Sequence, residues 1–265
     1  AVRKAAEFVR ELSFARREPL AAGELLLGLE CGRSDPSSGL VATPRLGALV
    51  DRLVDAGGAA IFGETTEWIG AEGPLRARAA TPEVAAALGA AAAAHERMAV
   101  TAGIDLTYNN PSTTNIEAGL SSIEEKSLGA IAKGGSRPIQ GVIDYAAPPP
   151  GPGVWAMDAP AYAPESVTGF TAAGASMALF TTGVGNSYVS ALAPTLKVTG
   201  NPATAARVTQ QIDFDASPVF SGAESLEAAA DRLQARLLEI ASGALTWGEV
   251  LSESDEVISR FGSVL

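Results

Sequence analysis

The chain has 265 residues, 47% of them hydrophobic, and a formal net charge of −11. That apolar content suffices for one large α/β core or two small ones. The acidic balance argues against nucleic acid and anionic membrane surfaces as partners. A single cysteine excludes an internal disulfide and points to the cytoplasm, and no charge-free apolar run approaches the roughly 18 residues of a membrane span.

Residues 2–18 read as an amphipathic helix stopped near Pro19. Charges of both signs interrupt it, so it is not a signal peptide. The chain opens on Ala, which reads as a processed chain or an excised domain. Residues 24–30 are the first strand. Leu25, Leu26, Leu27 and Leu29 make a short apolar run of the kind buried on both faces of a parallel sheet. Glu30, Cys31, Gly32, Arg33, Ser34, Asp35, Ser37, Ser38 and Gly39 follow directly. Small and polar groups therefore gather at a strand's carboxyl end, where open α/β sheets bind ligands. The same residues also suit a tight strand-to-helix turn capped by Ser34 or Asp35.

Thr43 before Pro44 predicts an N-cap with Pro at the first helical position. That helix ends at Gly57-Gly58. Residues 59–62 are the second strand, closing in Gly63, Glu64, Thr65, Thr66 and Glu67. Thr81 and Pro82 open a helix that runs to about Thr101 and contains His95. A lone histidine among alanines reads as a surface or packing residue. Residues 107–115 are a turn-rich loop whose Ser112, Thr113, Thr114 and Asn115 are available to cap a helix over about 116–133. Ile116, Leu120, Ile123 and Ile131 share one face of that helix. Lys126 and Lys133, seven apart, lie nearly in line on its edge.

Residues 139–143 are a third strand. The stiff, proline-rich stretch after it leaves open a lobe boundary near 146–153. Residues 154–157 are a fourth strand closing at Asp158, 164–175 a glycine-weakened helix, and 176–180 a fifth strand ending in Thr181, Thr182, Gly183 and Val184. A short strand at 196–198 and helices over 223–242 and about 246–260 complete the chain. The alternation predicts one domain over 1–265, a three-layer Rossmann-like α/β fold with a mainly parallel sheet. The strand ends near 30, 63, 158 and 182 are expected on one side. No G-x-G-x-x-G follows a strand, no phosphate-binding loop ends in Gly-Lys, and no Cys/His cluster has zinc spacing.

ECGRSDPSSG, ETTEWIGAE, NPSTTN, IEEKSLGAIAKGGSRPIQGV, AMDAP, SVTG, LFTTGVG and LKVTGNP occur in this order. Over roughly residues 24–245 the chain resembles the C-terminal domain of the altronate hydrolase and galactarate dehydratase family, which includes the large subunit of sulfolactate sulfo-lyase. The resemblance implies a lyase that removes water, or sulfite, from a hydroxy acid and leaves a 2-keto acid. It implies ferrous iron (Fe2+) for the dehydratases, and an upstream domain or companion subunit with further cysteines and a histidine. There are departures. Val184 stands where the family commonly has Arg, and Arg33 where it commonly has Gly. Residues 110–115 read NPSTTN and residues 213–217 read DFDAS, where N-P-S-P-G-N and D-I-N-A-G are usual.

Such an elimination needs a base for the proton α to the carboxylate, a stabiliser for the enediolate and an acid for the leaving group. Lys126 is the base candidate, provided its pKa falls by roughly three units from about 10.4. Lys133, Glu125 and Glu64 complete the catalytic set. The alternative for the lysines is a surface pairing with Glu124 or Glu125. Cys31 reads as a soft iron ligand or as a small buried hydrophobe. Glu67 is the second ligand, although Glu64 and Glu67 also suit the first turn of a helix. Arg33, Ser34, Asp35, Ser38, Asn115, Asp158, Thr182 and Gly183 form the substrate-binding set. Asp158 is placed to orient a hydroxyl, and Arg33 either to grip an anion in place of the arginine missing at Val184 or simply to point to solvent. The expected ligand is a small hydroxy acid, and a homo-oligomer is left open. The alternatives are a sulfo-lyase subunit and a non-catalytic domain that binds a carboxylate or a partner.

Overall fold

A computed structural model describes residues 1–258, apart from the side chains at 107 and 108. Seven strands form one sheet: β1 (Leu26–Cys31), β2 (Ala59–Phe62), β3 (Ile139–Ile143), β4 (Gly153–Met157), β5 (Met177–Thr181), β6 (Thr195–Thr199) and β7 (Phe214–Asp215). Their spatial order is β3-β4-β2-β1-β5-β6-β7. Every pairing is parallel. All carboxyl ends therefore lie on one edge, as the polar clusters after each apolar run predict. β1 is central, with β2 on one side and β5 on the other. The strand order reverses there, which makes the end of β1 the natural place for a ligand.

The helices are α1 (Val2–Leu12), α2 (Thr43–Asp55), α3 (Glu72–Ala77), α4 (Pro82–Ala102), α5 (Leu106–Asn109), α6 (Thr113–Glu117), α7 (Ile123–Ile131), α8 (Ala163–Ala172), α9 (Pro202–Arg207), α10 (Ser217–Phe220), α11 (Leu226–Ala241) and α12 (Trp247–Leu251). Side chains alternate across each strand, so the sheet has two cores. On one face Leu27, Leu29, Phe62 and Leu179 pack against Leu46 and Leu49 of α2, Leu88 of α4 and Leu233 of α11. On the other face Ile61, Ala178 and Phe180 pack against Val167 and Phe170 of α8. Gly28 lets α8 approach β1: a Cβ there would sit 2.8 Å from the Cβ of Phe170. The result is the three-layer α/β arrangement that the sequence predicts. Among the described residues no helix is long and apolar enough to cross a membrane.

Several boundaries differ from expectation. The first helix stops at Leu12 and buries none of its residues. Thr43 is not an N-cap, because the chain is already helical from Ser38. Asp35 takes the capping role, its Oδ1 accepting from the Ser38 N–H at 3.0 Å. Thr43 Oγ1 instead donates to carbonyl oxygens of Ser38 and Gly129. The helix expected over 116–133 is broken into α6 and α7, with Gly119 at φ 109° between them. Ser122 caps the second piece, accepting from Glu125 N–H at 3.2 Å. The turn-rich loop at 107–115 contains the end of α5 and the start of α6. The stretch 146–153 joins β3 to β4, neighbouring strands of the same sheet. Of the helix expected over 246–260, α12 is formed, and 259–260 lie outside the described residues.

Candidate active site

Cys31 ends β1, and Glu64 and Glu67 follow β2, so two adjacent parallel strands deliver one thiol and two carboxyl groups to one spot. Glu64 has φ 64° and ψ 55°, a left-handed backbone costing an L-residue roughly 1–2 kcal/mol. That turn brings the Glu64 carboxylate back to β1, where Oε2 accepts the Cys31 N–H at 3.3 Å. Cys31 Sγ lies 3.4 Å from the same oxygen and 3.3 Å from Glu67 Oε2. All three side chains are buried, and one ligand atom from each lies within 4.8 Å of the others.

Two lysines reach the same spot. Lys133, in the turn after α7, donates to Glu64 Oε2 and lies 3.2 Å from Cys31 Sγ. Lys126, on α7, pairs with Glu67 Oε1 at 2.7 Å and donates to Asn110 Oδ1. The alternative of surface pairing with Glu124 or Glu125 is therefore wrong for both lysines. Glu125 is exposed and accepts from the N–H and hydroxyl of Ser121.

The electrostatics follow from burial and crowding. Burial pushes the Cys31 thiol well up, and Glu64 and Glu67 push it further. Burial and then Glu67 raise Glu64, against the pull of Lys133. Burial alone would raise Glu67 too, but Lys126 and Lys133 outweigh it and hold it low. The lowered Lys126 pKa expected from sequence is not what this arrangement gives. Burial does act in that direction, yet Glu67, Cys31 and Glu64 together raise it. Sequence reading also passed over Glu30, which precedes Cys31 on β1. It is fully buried, and among the described residues neither carboxyl oxygen has a hydrogen-bond partner. Burial and then Glu64 push its carboxyl well up, which favours its protonated form.

His95 is neither a surface nor a plain packing residue. It is 4% exposed, with Nε2 at 2.9 Å from Asp158 Oδ1 and Nδ1 at 3.3 Å from Thr66 Oγ1. Thr65 Oγ1 also donates to Asp158 Oδ1, at 2.8 Å. The hydrogen bond from His95 holds Asp158 below its ordinary range. One signal for this chain was present in the sequence: AMDAP and ETTE both close apolar strands. Only the sheet order shows that β4 and β2 are neighbours.

These groups meet at a cleft of about 810 Å³, lined by Cys31, Arg33, Thr66, Glu67, Asn110, Asn115 and Lys126, with Ile104 and Tyr162 on its wall. Of the expected substrate-binding set, Arg33 and Asn115 line it. Asp158 connects to it through His95. Ser34, Asp35 and Ser38 line a neighbouring hollow together with Glu125. Asp35 is fully engaged, accepting from Ser37, Ser38 and, at 2.7 Å, from Asn201 Nδ2. Gly183 lies against it: a Cβ there would come within 2.4 Å of Asp35 Cγ. Thr182 Oγ1 accepts from Gly185 N–H at 3.0 Å. Asp35, Thr182 and Gly183 therefore brace the turns that carry Arg33, whose carbonyl accepts from the N–H groups of Gly183 and Val184.

The profile of the family described as D-galactarate/Altronate dehydratase, C-terminal, matches residues 22–264. The chain belongs to this family. It is 38% identical over 262 residues to the (2R)-sulfolactate sulfo-lyase subunit beta of Chromohalobacter salexigens, an alignment covering 98% of this chain and 67% of that protein. It is 32% identical over 234 residues to an altronate dehydratase of Escherichia coli, covering 88% of this chain and 47% of that protein. It is 32% identical over 235 residues to a galactarate dehydratase (L-threo-forming) of the same organism, covering 89% and 45%. The chain thus spans two thirds of the sulfo-lyase subunit and about half of each dehydratase.

In this member of the dehydratase family the Cys31, Glu64 and Glu67 donors fit a shared cation. Metal–sulfur and metal–oxygen bonds of about 2.3 and 2.1 Å imply sulfur–oxygen separations of about 3.1 Å at a right angle and about 3.6 Å at the tetrahedral angle. The 3.3 and 3.4 Å separations here fall between. Burial first, and then the neighbouring carboxylates, raise the Cys31 thiol and the Glu64 carboxyl, and a bound cation would favour the ionised form of each. One thiolate with two carboxylates does not select a single metal.

Proposed function

We propose that this chain is the part of a metal-dependent lyase that dehydrates a sugar acid. A proton leaves the carbon α to the carboxylate, a hydroxyl leaves the next carbon, and a 2-keto acid results. The observation that carries this reading is the convergence of Cys31, Glu64 and Glu67 with two buried lysines beside a cleft at the end of the central strand. Ferrous iron held by Cys31, Glu64 and Glu67 would act as a Lewis acid toward the oxygens of the enediolate.

The chain's own groups supply the rest. Lys126 is the base. Its amine is kept charged by Glu67, and burial acts the other way. Once the Glu67 carboxylate is engaged elsewhere, burial lowers Lys126 toward the neutral range a base needs. Lys133 stays with Glu64 and fixes its carboxylate. Arg33 gives the substrate carboxylate a bidentate partner, and Asn110 offers an amide group on the same wall, its buried Nδ2 having no hydrogen-bond partner among the described residues, whereas the Asn115 amide is held by Ser112 and Ser34. The remaining half of the dehydratases' length is assigned to a companion segment or subunit that completes the active assembly in the cytoplasm.

A second reading is sulfite elimination from sulfolactate, favoured by the 38% identity to the sulfo-lyase subunit along nearly the whole chain. An anaerobic assay with ferrous iron separates the readings. It would use aldarates, aldonates and sulfolactate, with and without the companion. Release of a 2-keto acid from an aldarate or aldonate is the expected result. Release of sulfite alone selects the second reading. Binding of these acids without turnover in any arm refutes both and leaves a carboxylate-binding domain.

A further inference from the structure

We propose that Thr66, backed by His95 and Asp158, is the group that protonates the departing hydroxyl, an assignment that rests on the dehydratase reading above. The cleft already holds a base candidate in Lys126 and an anion grip in Arg33, and elimination of water needs an acid as well. Thr66 lines the cleft next to Glu67. Behind it stand His95 Nδ1 at 3.3 Å and, on the far side of the ring, Asp158 Oδ1 at 2.9 Å from Nε2. This is a carboxylate, an imidazole and a hydroxyl joined in sequence by hydrogen bonds, and of the three residues Thr66 alone lines the cleft. The imidazole is buried, while the Asp158 side chain is 41% exposed, so the outer end of the line meets solvent and the inner end meets the cleft.

The step requires His95 to enter it with both ring nitrogens carrying hydrogen, Nε2–H donating to Asp158 and Nδ1–H to Thr66 Oγ1. As the C–O bond breaks, its electron pair leaves with the oxygen. That oxygen takes the Thr66 hydroxyl proton, and Thr66 takes the proton from Nδ1. Water departs, and neutral His95 keeps its Nε2–H on Asp158. The proton that Lys126 removed from the α-carbon returns to solvent, and His95 regains one from solvent. One turnover therefore consumes no net proton. Thr66 is the catalytic residue in this step, and His95 and Asp158 are positioning residues that orient and reload it.

A purely structural staple would use the same hydrogen bonds to tie β2, α4 and β4 together, so the test must move something that a staple would not. Thr66→Val keeps the shape and removes the hydroxyl. In the native assembly, purified anaerobically, it should slow loss of water from a hydroxy acid by about 10²- to 10⁴-fold. Loss of chloride from 3-chlorolactate should stay within about threefold, because chloride leaves without a proton. Thr66→Ser should restore most of the activity. Thr66→Val combined with His95→Gln should be no slower than the worse single variant, since the groups act as a unit. Equal loss on both substrates, or loss on neither, overturns the proposal.

A second readout needs no turnover. The chain has one histidine, so nitrogen NMR of the metal-free full chain sees a single imidazole. Thr66→Val should move its Nδ1 resonance and Asp158→Asn its Nε2 resonance, and an unmoved Nδ1 refutes the link. If the wild-type assembly turns over neither substrate, the dehydratase reading falls, and the NMR result decides the Thr66–His95 connection by itself.

Discussion

Lys133→Met tests the charge balance of the site directly. The side chain is 1% exposed, and its amine faces Glu64 and, at 3.2 Å, Cys31. Methionine keeps most of the volume and removes the charge. Removing one partner of a buried ion pair costs about 3–5 kcal/mol, because the surviving charge has no partner. Here burial and Glu67 already raise the Glu64 carboxyl, and Lys133 opposes them. Without Lys133 the Glu64 carboxyl is raised further, and its readier protonation limits the loss to the lower end, about 3 kcal/mol. At about 2–4 °C per kcal/mol, the melting temperature should fall by roughly 6–12 °C. The pH dependence has a definite sign. A carboxyl raised in the folded state costs stability while ionised, and that cost disappears as pH falls through its folded value. The amine of Lys133 is also raised, so its own contribution is complete below the ordinary lysine value and is lost only in alkali. As pH falls through the raised Glu64 value the gap between wild type and variant should therefore narrow. Guanidinium unfolding of the metal-free chain, followed by tryptophan fluorescence, reads the gap. Glu64→Gln on the Lys133→Met background should recover most of the loss. A variant as stable as wild type at pH 8, or a gap that does not change with pH, refutes the reasoning.

Cys31→Ser should lower ferrous affinity by more than about tenfold, read as iron per chain after dialysis; unchanged iron content would leave Cys31 as packing alone. Lys126→Ala should cost about 10²- to 10⁴-fold in kcat, and because it strands the buried Glu67 carboxylate it should also lower the melting temperature; unchanged kinetics would remove it from the mechanism. Arg33→Ala should raise KM more than it lowers kcat if the guanidinium makes a uniform binding contact. Adding Val184→Arg to Arg33→Ala should recover part of that loss, and an unchanged KM in the single variant would exclude Arg33 from substrate binding.

The sheet was legible because its strands are buried on both faces. LLLGL, AAIF and MALF are apolar without alternation, and each ends abruptly in glycine and polar residues, which fixes both the strand and the edge on which it ends. Helix boundaries were less legible where small polar residues had several uses. Thr43 looks like a cap but sits within helical backbone, because Asp35 captures the Ser38 N–H first. Gly119 breaks the helix read across 116–133 by adopting φ 109°. In the candidate site, Cys31, Glu64 and Glu67 were legible as strand-end groups. The inward turn of both lysines was not, since a position on the edge of an apolar stripe serves a buried amine and a surface amine equally. His95 was misread for a related reason: spacing along α4 shows only alanines around it, and its partners lie 29 and 63 residues away in sequence.

Stability alone gives no reason for this cluster. Cys31, Glu30, Glu64, Glu67 and Lys133 are all buried, where apolar side chains of equal volume would pack as well or better. Glu64 adds a left-handed backbone to that cost, and Glu30 adds two carboxyl oxygens without partners. Glycine at position 64 would relieve the backbone but would delete the carboxylate that meets both Cys31 and Lys133. The combination suits the cation-binding, proton-handling site proposed above: candidate ligand atoms held close together, amines that balance them, and behind them a carboxyl that burial raises. Strain and unpaired polar groups of this kind concentrate where function opposes folding. They lie here at the ends of β1 and β2, and β1 borders the point, between it and β5, where the sheet order reverses.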